Sequence, residues 1–288
     1  MGCLNSQGQF SHWFGNIHLS GPCNRSCYFC IGQHMMALDP LNNLNVWPLK
    51  NIDYFIMACV SKGVNEVNIT GSNTDPLLYK HTLKLKNYLQ SKIPQLVFGV
   101  RTNGVLIKQR QDIWNAYDKA SITVCSINPN TSMKMMGGVS PDIREVLSLS
   151  RGKDLKVNVV LGPENTGENV SDLVNTLDYL TSLGIKRINL REPYGQPHIG
   201  DPLANNCGSH PDIVLGMPVY HWLHNGNTCE VIYWDVHYVE VESVNLYANG
   251  KVSTTYPITK GHCDETGKVL DQSNFANAGR IREQWIYE

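Results

Sequence analysis

Three cysteines near the start of the chain have a spacing that suits metal binding. Cys23, Cys27 and Cys30 lie in the segment Cys-Asn-Arg-Ser-Cys-Tyr-Phe-Cys, with the spacing C-x3-C-x2-C. Three thiolates on one short loop can bind three irons of a [4Fe-4S] cluster. The fourth iron then has no protein ligand and stays open to a small molecule. A closed structural zinc site needs four ligands instead.

Three other interpretations of this loop stay open. In the first, a non-enzymatic zinc-binding module uses the three thiols and His34, because Cys30-x3-His34 is a usable ligand spacing. In the second, Cys27 and Cys30 form a redox dithiol, and Cys23 then has no role. In the third, the three thiols are buried there by chance.

Phe29 directly precedes the last cysteine, where an aromatic ring can cover an adenine face.

The elements that must position this loop are alternating strands and helices. Six short runs rich in Val, Ile and Leu, bounded by Gly, Pro, Asn or Asp, are predicted strands. They are Phe14–Leu19, Val64–Thr70, Leu96–Thr102, Ser121–Ile127, Lys156–Leu161 and Arg187–Glu192. Helical stripes lie between them. They cover residues 49–60, 78–89, 113–117, 143–149 and 170–180. Helical crossovers predict a parallel α/β sheet, either barrel-like or doubly wound, with its chemistry at the carboxyl ends of the strands.

The segment CNRSCYFC resembles the C-x3-C-x-aromatic-C signature of the radical S-adenosylmethionine (radical SAM) superfamily, and the resemblance covers about residues 12–200. It implies a partial (β/α)6 TIM-like barrel with a [4Fe-4S] cluster on Cys23, Cys27 and Cys30. It also implies that S-adenosylmethionine chelates the open iron. An external one-electron reductant, such as flavodoxin or ferredoxin, then drives cleavage to a 5′-deoxyadenosyl radical, which abstracts a hydrogen from the substrate.

The same resemblance implies cofactor contacts after the second strand. Thr70, Gly71, Ser72, Asn73 and Asp75 belong to a segment that is similar to the family's Gly-Gly-Glu-Pro segment, which receives the methionine ammonium. Two extra residues intervene here, and Asp75 replaces the glutamate. The segment offers acceptors and a flexible backbone, but the atom that meets the ammonium stays open.

Four further residues are candidate cofactor contacts at later strands. Asn103, in a Thr-Asn-Gly ending, and Ser126 match places where family members approach the cofactor, although Asn-Gly is also a common turn pair. Asn158 is a polar residue within an apolar strand, which predicts a ribose contact or a satisfied core amide. Arg191 could clamp the methionine carboxylate or a substrate anion, or pair locally with Glu192.

Composition excludes several classes of protein. The 288 residues carry 24 Lys and Arg against 25 Asp and Glu, so no basic excess supports an extended nucleic-acid footprint. Nine unevenly spaced cysteines do not suit a disulfide scaffold. No signal peptide and no long apolar run are visible, so we expect a cytoplasmic protein without a membrane partner. Because no peptide-recognition module is apparent, a small polar substrate (nucleoside, nucleotide, sugar or amino acid) is expected first and a peptide second.

The tail has a different composition from the rest of the chain. Residues 1–200 are predicted to form the barrel core, and residues 201–288 an extension that covers the active site. The extension includes a hairpin across Asn249-Gly250, predicted to have a two-residue turn. Cys207, Cys229 and Cys263 leave an auxiliary cluster open, and Cys263 is a candidate hydrogen donor to a product radical. Polar candidates for a substrate pocket are His198, Asp201, His210, His262, Arg280 and Arg282.

Overall fold

A computed structural model of the chain describes residues 13–32, 41–167, 170–193, 199–204, 211–214, 217–234 and 242–254. The strands are β1 (Phe14–Leu19), β2 (Glu66–Gly71), β3 (Val97–Thr102), β4 (Lys119–Thr123), β5 (Asp154–Val160), β6 (Arg187–Arg191), β7 (Asp212–Val214), β8 (Met217–His224), β9 (Asn227–Trp234), β10 (Ser243–Leu246) and β11 (Val252–Ser253). The α-helices are α1 (Ile52–Ser61), α2 (Thr82–Lys92), α3 (Gln111–Asn115), α4 (Pro129–Met136), α5 (Ile143–Leu149) and α6 (Ser171–Ser182), and Pro76–Leu78 is a 3₁₀ turn.

The strands of the described residues form one sheet in the order β11-β10-β1-β2-β3-β4-β5-β6-β9-β8-β7. Strands β1 to β6 are parallel and adjacent in chain order, as helical crossovers require. The predicted α/β class is confirmed, and the open, mostly parallel sheet is consistent with a partial barrel. All six predicted strands are present, and each of them except β1 has at least one shifted end. For example, β4 ends at Thr123 rather than at Ile127, so Ser126 follows the strand.

The two faces of the parallel strands differ sharply in chemistry. One face is apolar and packs into the main core with side chains such as Ile17, Ile69 and Val157. The alternating positions of the other face carry polar or charged side chains, because successive residues of a strand point to opposite faces. Examples on this polar inner face are Asn158 and Arg101. The inner face therefore supplies the groups that could meet a ligand.

Residues after 200 continue the same sheet at both of its edges. Strand β10 pairs in parallel with β1, and β9 pairs in parallel with β6. The predicted hairpin is formed by β10 and β11, but its turn is longer than predicted. The Tyr247 N–H donates to the Lys251 carbonyl at 2.9 Å, which leaves three residues between them, and Gly250 takes a positive φ of 86°.

A second hairpin, β8–β9, was not predicted. His224 and Asn227 pair directly, so Asn225 and Gly226 form a two-residue turn. Both have positive φ values, 49° and 75°, which suit an Asn-Gly turn. The Asn-Gly pair was a readable signal for this hairpin. None of the helices in the described part of the chain is long and apolar enough to cross a membrane.

Candidate active site

The carboxyl ends of the parallel strands open onto a cavity of about 460 Å³. Most of the residues predicted from the sequence line it together. Those are Cys23, Cys27, Phe29, Cys30, Thr70, Gly71, Asn73, Asp75, Asn103, Asn158 and Arg191. Ser72 and Ser126 are nearly fully buried and do not line it. The topology therefore brings the cysteine loop and the ends of four other strands to one place.

Helix α4 holds the cysteine loop from one side. The backbone N–H groups of Ser26 and Tyr28 donate to the carbonyls of Met136 and Met135, both at 3.2 Å. These carbonyls belong to the last turn of α4, where a helix has no internal donors for them. Gly137 ends the helix in the left-handed region, with φ 66°. The loop and the helix end thus satisfy each other's backbone groups.

Helix α4 was not predicted, although its caps could have revealed it. Asn128 accepts a hydrogen bond from the Asn130 N–H at 3.0 Å, and Pro129 occupies the first turn. Asn before Pro, followed eight residues later by Gly137, is a standard pattern of helix ends. The helix is eight residues long, and the sequence analysis predicted no helical stripe there.

The segment after β2 holds the start of the cysteine loop. The Asn73 side-chain oxygen accepts from the Ser20 hydroxyl at 2.9 Å and from the Gly21 N–H at 3.0 Å. The Thr74 hydroxyl donates to the Pro22 carbonyl at 2.6 Å. In this structure Asn73 therefore positions the loop, and its acceptor oxygen is already used.

The end of the cysteine loop lies directly on the backbone of Ser72. The Cys30 thiol donates to the Ser72 carbonyl at 3.7 Å. A Cβ added at Gly32 would overlap that same carbonyl oxygen, so only glycine permits this approach. Ser72 thus contacts the loop through its backbone, and its side chain does not reach the cavity.

Asp75 joins the ends of two strands. Its carboxylate accepts from the Thr102 hydroxyl at 2.7 Å, the Asn103 N–H at 2.8 Å and the Leu77 N–H at 2.9 Å. Burial raises the pKa of this carboxyl, while the three donors act in the opposite direction. Asp75 is 2% exposed, so its main contacts are inside the protein.

Asn103 links the end of β3 to the cysteine loop. Its side-chain amide donates to the Asn24 oxygen at 2.8 Å, and its own oxygen accepts from the Val105 N–H at 3.1 Å. The Asn103 side chain thus both supports the turn that sequence analysis considered and contacts a residue between two of the cysteines.

The three later candidates have different surroundings. The Ser126 hydroxyl donates to the Asp172 carboxylate of α6 at 2.7 Å. The Asn158 amide donates to the Ser121 hydroxyl at 2.6 Å, and Asn158 also lines the cavity. The Arg191 guanidinium lies 5.4 Å from the centre of the Trp234 ring, and Arg191 also lines the cavity.

The three thiols fit the donor set of an iron–sulfur cluster. None of the three forms a disulfide bond with another described cysteine, and all three line the same cavity. Burial, together with the nearby Cys30 and Cys23 groups, raises the pKa of Cys27 to about 12, and burial also raises that of Cys23. A positively charged iron would reverse this effect, because thiolates bind metal after losing their protons. Among the described residues, no group of three or more His, Cys, Asp or Glu side chains has an arrangement that could hold one metal ion.

Several cavity residues were missed by sequence analysis. His18, Arg101, Thr123 and Glu192 all line the cavity. The first three lie on the polar inner face, so strict alternation along each strand was the signal that could have found them. Glu192 accepts from the Tyr233 hydroxyl at 2.7 Å and from the N–H groups of residues 199 and 200 at 3.1 Å and 2.8 Å.

His18 is kept neutral by its surroundings. It is 5% exposed, stacks on Tyr247 at 4.7 Å and lies 3.4 Å from the Asn245 side-chain oxygen. Burial is the main cause that lowers the pKa of His18 to about 4. A neutral imidazole therefore lines the cavity at ordinary pH.

Many of the tail residues singled out from the sequence cannot be placed. Those that lie outside the described residues are His34, His198, Cys207, His210, His262, Cys263, Arg280 and Arg282. Of the others, Cys229 is buried in β9, and Asp201 accepts from the Tyr220 hydroxyl at 2.7 Å.

The family model of the Radical SAM superfamily matches residues 17–180, more than half of the chain. The chain belongs to the radical SAM superfamily. The matched segment runs from β1, through the cysteine loop, into α6. The resemblance stated from the cysteine signature is thus confirmed, and so is the prediction of a radical SAM enzyme at the level of the family.

Two sequence relatives are GTP 3′,8-cyclases of Helicobacter pylori. The protein of strain HPAG1 is 26% identical over 185 residues, which are 61% of this chain and 53% of the relative. That of strain ATCC 700392 / 26695 is 27% identical over 155 residues, 50% of this chain and 46% of the relative. The matches span about half the length of these relatives.

Solved structures with a similar fold include Streptococcus suis SuiB. SuiB bound to the precursor peptide SuiA matches with a TM-score of 0.56 at 13% identity, covering 84% of this chain and 59% of that chain. SuiB bound to S-adenosylmethionine matches with the same TM-score at 14% identity, covering 84% and 60%. At such identity the likeness concerns the fold alone.

Proposed function

We propose that this protein is a radical SAM enzyme that acts on a small polar substrate. Cys23, Cys27 and Cys30 hold a [4Fe-4S] cluster, and S-adenosylmethionine lies in the cavity beside it. The observation that carries the proposal is that the three thiols share one cavity with the ends of β2, β3, β5 and β6. In a parallel α/β sheet, ligands bind at these carboxyl ends.

The bound cofactors would supply radical chemistry, in which one electron cleaves one carbon–sulfur bond. Held by Cys23, Cys27 and Cys30, a reduced cluster would supply the one electron that cleaves the sulfonium of S-adenosylmethionine into methionine and a 5′-deoxyadenosyl radical, and that radical would take a hydrogen atom from the substrate. An external protein of the flavodoxin or ferredoxin class supplies that electron. We also propose that Cys263 donates a hydrogen atom to the product radical.

The residues of the chain bind and orient the cofactors. Phe29 offers a ring from the cysteine loop, Asn158 offers an amide from β5, and Arg191 offers a cation from β6, and all three residues line the cavity. The backbone and side chains of residues 70–75 offer acceptors for an ammonium group. Because the Asn73 oxygen and the Asp75 carboxylate already accept hydrogen bonds, we expect backbone carbonyls of this segment to contribute.

A nucleotide is the first choice among the small polar substrates. The support is the similarity to proteins named GTP 3′,8-cyclase, whose name states a nucleotide substrate. A peptide is the second choice, since SuiB, a neighbour in fold, has been solved with a precursor peptide. We also propose that the tail beyond residue 200 shields the cavity from water, which a free radical requires.

Anaerobic reconstitution with iron and sulfide tests the proposal. We expect about four irons and four sulfides per chain, and 5′-deoxyadenosine from S-adenosylmethionine when a reductant is added. The variant Cys27→Ala should lose both. Cys59→Ala is the matched control, because Cys59 is a free, buried thiol of α1 far from the loop in sequence.

Two results would contradict the proposal. One is 5′-deoxyadenosine formation that survives in Cys27→Ala. The other is zinc without iron or sulfide after anaerobic purification, which would support the zinc-binding module with His34 instead. If the wild-type protein forms 5′-deoxyadenosine as expected, deuterium transfer into it from a panel of labelled nucleotides, sugars and amino acids would identify the substrate.

A further inference from the structure

A cationic layer crosses the inner face of the barrel beneath the candidate cofactor site. Lys156 lies two residues before Asn158 on β5, and Asn158 lines the cavity. Val157 and Val159 pack into the core on the opposite face, so alternation places Lys156 on the inner face. Two residues of a strand span about 7 Å, close to the length of an extended lysine side chain. The side chain is therefore long enough to bring its ammonium to the level of Asn158.

The register gives Lys156 cationic neighbours on both sides. Ser121 of β4 pairs with Lys156 and also with Arg101 of β3, so all three share one level of the sheet. On β6, Arg187 precedes Ile188, which pairs with Val157 next to Lys156. The charged groups that act on the pKa of Lys156 are Arg101, Lys119, Arg191 and Arg187, and all of them are cations.

Acidic partners at this end of the barrel are already used by other cations. Lys119 forms an ion pair with Glu66 at 2.7 Å, and Arg187 pairs with Asp154. Nearer the cavity mouth, Asp75 and Glu192 accept hydrogen bonds from neutral donors. The Lys156 side chain has no hydrogen bond and no ion pair with any residue that the structure describes.

A partly buried cation without an acceptor costs folding free energy, because it loses part of its hydration. Burial, which is the largest cause, and the four neighbouring cations lower the pKa of Lys156 to about 7, so the surroundings oppose its charged form. An oxyanion bound on the cavity floor would offset it, because ammonium–oxyanion hydrogen bonds are strong in a site of low dielectric constant.

We propose that Lys156, with Arg101 beside it, binds an oxyanion group of the substrate, a phosphate or a carboxylate, on the floor of the barrel. The proposal rests on the proposed function only in that the ligand is the substrate of that site. It adds that the substrate is an anion. It also separates this group from the carboxylate of S-adenosylmethionine, for which Arg191 stands nearer the cavity mouth on β6.

Calorimetric titration of the reconstituted protein tests this site. Saturating S-adenosylmethionine is present, so that its carboxylate already occupies its own partners. The probes are inorganic triphosphate and tricarballylate, at low ionic strength and in a buffer without phosphate. At least one probe should bind, and Lys156→Met should raise its dissociation constant about 10-fold or more, as loss of a charged hydrogen bond does. The probe that binds more tightly identifies phosphate or carboxylate as the group.

Two variants control for charge and folding. Lys84→Met removes one cation from the exposed side of α2 and should change the dissociation constant less than about twofold. Lys156→Arg keeps the charge and should retain most of the affinity. The proposal is overturned if neither probe binds the wild-type protein, or if Lys156→Met, folded by circular dichroism, binds as tightly as the wild type.

The same protein preparations separate this proposal from the proposed function. Wild-type protein that forms 5′-deoxyadenosine but binds neither probe would overturn the anion site and leave the enzyme assignment standing. Probe binding that depends on Lys156, in wild-type protein that never forms 5′-deoxyadenosine, supports the anion site and counts against the proposed reaction.

Discussion

Polar side chains at the rim of the barrel and the Lys156 side chain in its interior have opposite surroundings. At the rim, the Asp75 carboxylate and the Asn73 and Asn103 amides all bond to other parts of the protein. In the interior, Lys156 has no such partner among the described residues, and the charges around it are cations. A polar group with its partners in place stabilises the fold, whereas one held without a partner lowers stability and is best explained by a ligand.

The difference also separates two kinds of functional residue. The rim residues act on chemistry indirectly, because they hold the three cysteines at the mouth of the cavity. The interior residues can touch a substrate directly. Variants at the rim should therefore lower stability and iron content together, and variants in the interior should change ligand binding while the fold is kept.

The largest effect is expected at Asp75. Asp75→Ala leaves three buried donors without an acceptor, so the free energy of unfolding should fall by roughly 3–5 kcal/mol. Urea denaturation of the metal-free protein measures this. Asp142→Ala is the control, because Asp142 accepts one bond, from the Arg144 N–H, at an exposed helix end, and should cost about 1 kcal/mol. Equal losses in the two variants would refute the linking role of Asp75.

The next effect is a pH dependence from His18 in the interior. Its pKa is lowered from 6.5 to about 4, so the unfolded chain takes up a proton between these values while the folded protein does not. Stability should therefore fall as pH drops from 6.5 to 4, by up to about 3 kcal/mol from this group. His18→Gln should show a shallower loss over that range in urea denaturation. An unchanged slope would mean that His18 is protonated in the folded protein.

Lys156→Met should have a smaller effect of opposite sign. The folded pKa of about 7 lies below the ordinary 10.5, so stability of the wild type rises with pH between these values. Without an anion, the variant should be more stable by about 1–2 kcal/mol at pH 7, and the gain should shrink towards pH 10. Thermal unfolding across this range measures it. A variant less stable than the wild type at pH 7 would place Lys156 among the paired groups.

The smallest effect is expected for the contact between Asn24 and Asn103. A double-mutant cycle with Asn24→Ala and Asn103→Ala should give a coupling free energy of about 0.5–1 kcal/mol, as for a partly buried neutral hydrogen bond. A coupling near zero would show that Asn103 supports only its own turn, through the Val105 N–H.

Local patterns were sufficient for the parallel core and for the cysteine loop. Strand β1 was predicted with both of its ends correct, and the helical stripe over residues 49–60 corresponds to α1, because apolar periodicity acts within a few residues. The short helix α4 and the β8–β9 hairpin were missed. Their signals were end residues rather than periodicity, and most of their stabilisation comes from packing on distant parts of the chain.

The sequence by itself determined the family and identified three cysteines as candidate cluster ligands, since their spacing and residue types are a local property of one loop. Only the tertiary structure decided what the surrounding polar residues do. Whether Asn73 or Asp75 is available to a ligand depends on donors that come from residues 20–21 and 102–103. The cationic layer at Lys156 depends on the register of four strands, which brings together charges that are far apart along the chain.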